Sequence, residues 1–275
     1  MKTMQIPNPT NIKIANIISI AKQAADAAMK CINSGLKISI KKDGSKVTNA
    51  DLAANSLVTT GLSKLTQDIP ILSEESCSEF DLENLKETFW CVDPIDGTDT
   101  MISYSNGNKE HTGFAVNIAL VHNGKPVKGV VYYPSRDEVY YTGDDDKAYK
   151  TDVNLNTKII NSVKANDYGP LKASVGYKKE DRPISIKGRE VEYVPEVGGG
   201  RMLKVAESSA DVAWLNFKMA LWDLAASHAV LKAAGGDLVL EENGKDVDYT
   251  NSDFTIEPTI GAHLDTLVKL GYKKP

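Results

Sequence analysis

The sequence has 275 residues, 41% of them hydrophobic, and a formal net charge of −5. That is apolar content enough for one large domain or two closely joined halves, and the interleaving of acidic and basic residues gives no basic face for a nucleic-acid polymer or a membrane surface. The chain shows no basic-then-apolar leader and no run of about 18 apolar residues, and Cys31, Cys77 and Cys91 lack CxxC spacing, so a cytoplasmic protein with reduced thiols is expected.

From Asn11 to Asn33, Ile14, Ile17, Ile18, Ala21, Ala24, Ala25, Ala28 and Met29 recur at helical steps, and Gly35 supplies the stop. Ile38 to Ile40 reads as a strand, Lys41 to Lys46 as a polar connection, and Asn49 as the N-cap of a second helix with Asp51 in its first turn. Pro70 to Leu72 is a strand that runs into Ser73-Glu74-Glu75. Phe89 to Val92 is another, ending in Asp93-Pro94-Ile95-Asp96-Gly97-Thr98. There Pro94 is expected to halt the strand and Gly97 to permit a tight turn. Ser103 to His111 reads as a surface loop. Phe114 to Val121, a turn at His122 to Lys125, Val127 to Tyr133, Glu138 to Thr142 and Lys147 to Lys150 read as an antiparallel meander, with Asp144 to Asp146 a solvated tip.

The texture turns polar between about Lys150 and Leu171, which places a boundary near residue 155 between a first half, 1–155, and a second, 156–275. In the second half Ala173 to Gly176, Tyr193 to Val197 and Asp211 to Trp214 read as strands, and Gly198-Gly199-Gly200-Arg201 opens a helix through Ala206. The stretch from Trp222 through Leu231 reads as a helix with Asp223 in its opening turn and Gly235-Gly236 as its stop. Leu238 to Leu240, Thr259 to Gly261 and a helix from His263 to Leu270 close the chain. Alternating strands and helices imply helix layers on sheets, an α/β class.

Five acidic residues share one habit: Asp51 and Asp223 start helices, while Glu74, Asp93 and Asp96 end strands, which is where such proteins gather ligands. Oxygen donors without convergent His or Cys favour Mg²⁺ over Zn²⁺, and a multi-Mg²⁺ site suits hydrolysis of a phosphate ester. The bland alternative leaves each aspartate capping its own turn. Other chemistries lack their motifs: GxSxG, GxxxxGK[ST], HExxH and a strand-borne GxGxxG are all missing, and His228 is read as a packed or surface histidine.

Asp93-Pro94-Ile95-Asp96-Gly97-Thr98 with Trp222-Asp223 resembles the signature pair of the inositol monophosphatase superfamily, lithium-sensitive magnesium phosphatases. Four stretches, Lys46 to Asp51, Ile71 to Glu75, Phe114 to Leu120 and Trp222 to Leu231, look most like its 3′(2′),5′-bisphosphate nucleotidase branch. The resemblance implies a layered αβαβα sandwich with an α+β and an α/β half. It implies one Mg²⁺ on Glu74, Asp93 and the Ile95 carbonyl, a second on Asp93, Asp96 and Asp223, and a third, weaker ion helped by Asp51. Thr98, supported by Asp51 or Glu74, would orient the attacking water. Gly97, Thr98, Gly199, Gly200, Arg201 and Asp223 would meet the substrate.

The chain also departs from the branch. Its turn is Gly198-Gly199-Gly200 where that branch is serine-rich, and Leu215 stands near the place of an expected arginine, with Lys218 nearby. Arg201 is left as the expected grip on a second phosphate. The substrate expected from the resemblance is adenosine 3′,5′-bisphosphate, with its sulfated form as a second. An inositol or broader sugar phosphatase is the alternative, and a silent nucleotide- or metal-binding sensor is the reading from another class. A monomer or homodimer is expected.

Overall fold

A computed structural model of the chain describes residues 12–42, 44–108, 113–176, 185–196 and 198–274. Helix α1 (Ile14–Ser34) buries Ile14, Ile17, Ala21, Ala24, Ala25 and Ala28 along one stripe, as its periodicity requires. A short hairpin, β1 (Ile38–Ile40) and β2 (Lys46–Thr48), leads into α2 (Asn49–Leu65). The cap of α2 is Thr48 and not Asn49: Thr48 Oγ1 accepts from Ala50 N–H at 3.0 Å, and Asp51 Oδ2 accepts from Thr48 N–H at 2.7 Å. Asn49 is diverted outward, its Oδ1 accepting the Lys37 N–H at 2.7 Å.

Strand β3 (Ile71–Ser73) gives way to 3-10 turns at Glu74–Glu79 and Leu82–Lys86, and then to β4 (Thr88–Asp96). Contrary to expectation, β4 continues through Pro94 to Asp96. Its pairing with β5 (Ala115–His122) shifts register between Asp93 and Asp96, and a proline is tolerated in such a bulge because no ladder bond needs its missing N–H. Thr98–Ser105 is a helix, α3, where the sequence suggested a loop from Ser103; its only buried residue is Met101, so it carries no apolar stripe. Residues 109–111 of that expected loop lie outside the described residues.

The meander continues as β6 (Lys125–Tyr133), β7 (Glu138–Thr142), β8 (Ala148–Thr151) and β9 (Thr157–Ile160). With β3 and β4 these form a seven-stranded sheet ordered β3-β4-β5-β6-β7-β8-β9, parallel only at β3–β4. β9 falls within the polar stretch and beyond residue 155, so the first sheet is complete only at Ile160. Asp144, at the hairpin tip, accepts the Ile14 N–H at 3.0 Å and pairs with Lys128 at 3.6 Å.

The rest of the chain builds β10 (Leu171–Val175), β11 (Ser185–Ile186), β12 (Arg189–Tyr193), α4 (Gly200–Ala206), β13 (Val212–Leu215), β14 (Met219–Ala220), α5 (Leu221–Ala233), β15 (Gly236–Leu240), β16 (Thr255–Ile256), β17 (Thr259–His263) and α6 (Leu264–Lys269). β12 ends at Tyr193, where the sequence reading began a strand that runs to Val197; Val197 itself is outside the described residues. The second sheet is ordered β11-β12-β10-β13-β17-β15.

Alternation along β4 sets the layers. Trp90 and Val92 face α1 and α2 in one core, while Phe89 and Cys91 face α4 and α5 in another, together with Ala213, Leu215 and Leu238 from the second sheet. The outer face of that sheet, through Ala173, Val239 and Ile260, packs on Leu267 of α6. The result is the expected αβαβα sandwich, in which α5 lies between the two sheets and so binds the halves together.

Candidate metal and phosphate site

β4 and α5 deliver their carboxylates to one point. Asp93, Asp96 and Asp223 each offer an oxygen, and these lie within 4.8 Å of one another. They line a cleft of about 500 Å³ with Gly44, Ser45, Lys46, Glu74, Ile95, Gly97, Thr98 and Asp99. The turn caps itself and also enters an acidic cluster. Asp93 Oδ1 accepts the Ile95 N–H at 2.9 Å, as a self-capping aspartate would, yet the residue also faces two other carboxylates. Gly97, with φ of 95°, starts α3 in the left-handed region; a Cβ there would lie 2.6 Å from Thr100 Oγ1.

The electrostatics follow from this crowding. Burial, then repulsion from Glu74, Asp96 and Asp223, pushes the Asp93 carboxyl well above the ordinary carboxylate range. Burial and the charges of Asp96 and Glu74 do the same to Asp223. Asp96 is pushed up to about 6 by burial and Glu74, against the pull of Asn117, Arg201 and the Gly199 N–H. Asn117 Nδ2 donates to Asp96 at 3.2 Å, and among the described residues its buried Oδ1 finds no hydrogen-bond partner. An all-oxygen cluster, with Asp93 buried and Asp96 and Asp223 half-buried, that resists its own ionisation fits a hard divalent cation.

Glu74 reaches the same cleft, but Lys41 Nζ donates to its Oε1 at 2.9 Å and to Glu75 Oε1 at 2.8 Å. Against partial burial, those bonds hold the Lys41 ammonium above the usual lysine range. Asp51 stands behind the cleft and is 1% exposed. Its Oδ2 accepts from the Thr48 N–H and from Thr48 Oγ1 at 2.6 Å, and its Oδ1 from Thr98 Oγ1 at 2.9 Å. Of the two supports expected for Thr98, the geometry supplies Asp51. Asp51 is not one of the three converging carboxylates, because Thr48 and Thr98 occupy its oxygens.

The Gly198-Gly199-Gly200 turn is packed, not slack. A Cβ on Gly198 would lie 2.7 Å from Asp96 Oδ2, one on Gly199 would lie 2.4 Å from the Asp223 carbonyl oxygen, and one on Gly200 would lie 2.5 Å from Tyr133 Oη. The turn therefore lets α4 press onto two carboxylate-bearing segments. Arg201 Nη1 donates to the Gly198 carbonyl at 3.1 Å, and Arg201 is not among the residues that line the cleft. Leu215 is buried and Lys218 pairs with Glu257 at 2.7 Å, so neither stands in for the arginine expected after β13. His228 is packed: its Nδ1 lies 3.1 Å from Tyr249 Oη and its Nε2 2.9 Å from Asp237.

Lys41, Asn117 and Lys46 were missed as site residues. Asn117 was discoverable as a lone amide within the apolar run Phe114 to Val121, and Lys41 and Lys46 only as cations in the polar segment that precedes Asp51.

Fold and site together define an enzyme of the layered αβαβα class with an acidic, all-oxygen centre between its sheets. The chain belongs to the inositol monophosphatase family, whose profile matches residues 13–270, and it is a phosphatase. It is 33% identical over 256 residues to the 3′(2′),5′-bisphosphate nucleotidase CysQ of Salmonella typhimurium, covering 89% of this chain and 97% of that protein. It is also 33% identical over 253 residues to CysQ of Escherichia coli K12, with 88% and 96% covered. Among solved structures, CysQ from Bacteroides thetaiotaomicron, a bacterial member of the inositol monophosphatase family, superposes with a TM-score of 0.73 at 26% identity, covering 92% of this chain and 98% of that one. No helix among the described residues is long and apolar enough to cross a membrane.

Proposed function

We propose that the protein is a Mg²⁺-dependent phosphomonoesterase that removes the 3′-phosphate of adenosine 3′,5′-bisphosphate to give AMP and inorganic phosphate, and that it accepts the sulfated form of that nucleotide as well. The observation that carries the reaction class is the convergence of Asp93, Asp96 and Asp223 in a cleft that also holds Thr98. The nucleotide is supported by likeness to the CysQ proteins over most of the chain.

Asp93, Asp96 and Asp223, with Glu74 and the Ile95 carbonyl, would hold two ions, while Asp51, whose oxygens are taken by Thr48 and Thr98, would not be a direct ligand. When bound, Mg²⁺ supplies Lewis acidity that offsets phosphate charge and makes a water acidic enough to attack. The protein's own part is alignment. Thr98 Oγ1 spends its proton on Asp51 Oδ1 and so presents lone pairs to a water in the cleft. That water donates to Thr98, which fixes its oxygen toward phosphorus, and Asp51 behind it holds the hydroxyl in the accepting orientation. The backbone N–H groups at Gly97 and Thr98, opening α3, face a phosphate oxygen. As the P–O bond to the ribose breaks, the water oxygen remains on phosphorus with one of its protons, and the other proton passes to the departing sugar oxygen, which leaves as the 3′-hydroxyl. Asp96 is held against Gly198 and by the Gly199 N–H, so the glycine turn acts through a ligand and sets its position.

Comparing kcat/KM for adenosine 3′,5′-bisphosphate and inositol 1-phosphate tests the substrate. Preference for the nucleotide supports the proposal, and negligible nucleotide turnover beside rapid inositol phosphate turnover replaces it. Nucleotide binding without any phosphate release would make the chain a sensor.

A further inference from the structure

The cleft contains one feature that the reaction itself does not use. Its floor is acidic, with Glu74, Asp93, Asp96 and Asp223, and one wall is the β1–β2 hairpin with Gly44, Ser45 and Lys46. Across from that wall stands Asp99, in the first turn of α3. Lys46 Nζ meets Asp99 Oδ1 at 2.7 Å, and the two side chains are 46% and 79% exposed. Among the described residues lining the cleft, Lys46 is the sole cation. Arg201, which donates to the Gly198 carbonyl, and Lys218 are not among the lining residues, and Lys41 is committed to Glu74 and Glu75.

A substrate with one phosphate places its charge on the floor. A second phosphate on the same sugar lies away from that floor, and of the described lining residues there Asp99 repels it and only Lys46 attracts it. An exposed ion pair contributes only about 0–1 kcal/mol, so exchanging Asp99 for a phosphate oxygen costs little, whereas a charge-assisted bond to phosphate is stronger. The lysine's long stem permits the swing. We infer that Lys46 is a specificity-determining residue that leaves Asp99 to bind the second phosphate of a bisphosphorylated nucleotide. This rests on the bisphosphate reading above.

The test measures KM for adenosine 3′,5′-bisphosphate and for 3′-AMP in wild type, Lys46→Ala, Lys46→Arg and Asp99→Asn. In Lys46→Ala the ratio of the bisphosphate KM to the monophosphate KM rises about tenfold, as expected for loss of one charge-assisted contact. Lys46→Arg restores most of the ratio, and Asp99→Asn, which releases the lysine, lowers it. An unchanged ratio in Lys46→Ala, with wild type turning over both nucleotides, overturns the inference alone and leaves a surface ion pair. Failure of the wild type to cleave the bisphosphate overturns the reaction proposed above, and this inference with it.

Discussion

Replacing Asp96 by Asn separates the metal account from a structural role for the same residues, because the two make opposite stability predictions. A carboxyl held at about 6, against a free value near 4, opposes ionisation at neutral pH by about 3 kcal/mol. The sign follows from linkage: a raised carboxyl favours the folded state when protonated, and that advantage is lost as pH rises from the free value to about 6. At pH 7.5 the metal-free protein therefore carries the full penalty, and an amide of the same shape removes it. Against this, Asn at position 96 loses part of the hydrogen bonding that Asn117 Nδ2 and the Gly199 N–H now give to a charged acceptor, a loss of about 1–2 kcal/mol. The net gain is about 1–2 kcal/mol, or roughly 2–4 °C in melting temperature for a chain of this size. Thermal unfolding in chelator at pH 7.5 reads it directly. With Mg²⁺ the order reverses: wild type gains stability by mass action, Asp96→Asn gains much less, and its turnover falls by more than about a hundredfold, beyond what loss of a mere support for a ligand costs. A variant less stable than wild type in chelator, or one that keeps its turnover, would refute the reasoning.

Four further outcomes are expected. Thr98→Val lowers kcat by about a hundredfold or more while the Mg²⁺-induced rise in melting temperature stays at the wild-type value, because Thr98 aligns water and is not one of the converging donors; a lost thermal response would make it a ligand. Asp51→Asn lowers kcat as Thr98→Val does, and the double variant is no worse than either single one, since Asp51 works through the Thr98 hydroxyl; additive losses would contradict that coupling. Gly199→Ala costs about 2–3 kcal/mol and weakens the response to Mg²⁺, because its Cβ meets the Asp223 carbonyl backbone and cannot be relieved by a rotamer change; wild-type unfolding and activity would contradict it. Burial opposes the ionisation of Asp237, but hydrogen bonds from His228 and Lys273 more than offset it and hold that carboxyl below the usual range. Its stabilisation is thus complete above about pH 4 and is lost as pH falls below that, so the gap of about 2 kcal/mol between wild type and Asp237→Asn in urea unfolding at pH 7 closes under acid conditions; a gap independent of pH would contradict it.

Part of this site could be read directly from the chain. Asp93 and Asp96 stand where an apolar run stops and Asp223 where a helix begins, and a charge at such places in an α/β sequence has few uses other than capping or ligation. In the structure Asp93 caps its own turn and also converges with Asp96 and Asp223. Pairings that depend on how distant segments return were not legible: Lys41 meets Glu74 across 33 residues because the β1–β2 hairpin folds over the cleft, and no local periodicity reports that. Helix α3 escaped because one buried methionine makes no stripe, and β9 because Thr157, Lys158 and Ile159 are exposed at the edge of the sheet. Pro94 misled in the other direction, since a proline in a bulge does not end a strand. The glycine run was legible as a turn but not as a contact, because the need for glycine there comes from Asp96, Asp223 and Tyr133, which are remote in sequence.

The measurement that bears most directly on the central claim is phosphate release from adenosine 3′,5′-bisphosphate by protein first stripped with chelator, assayed with and without added Mg²⁺, beside Asp93→Asn. The account predicts rapid release by wild type only when Mg²⁺ is restored, with AMP as the nucleotide product and almost none from the variant. Equal release in chelator and in Mg²⁺, or full activity in Asp93→Asn, would contradict it.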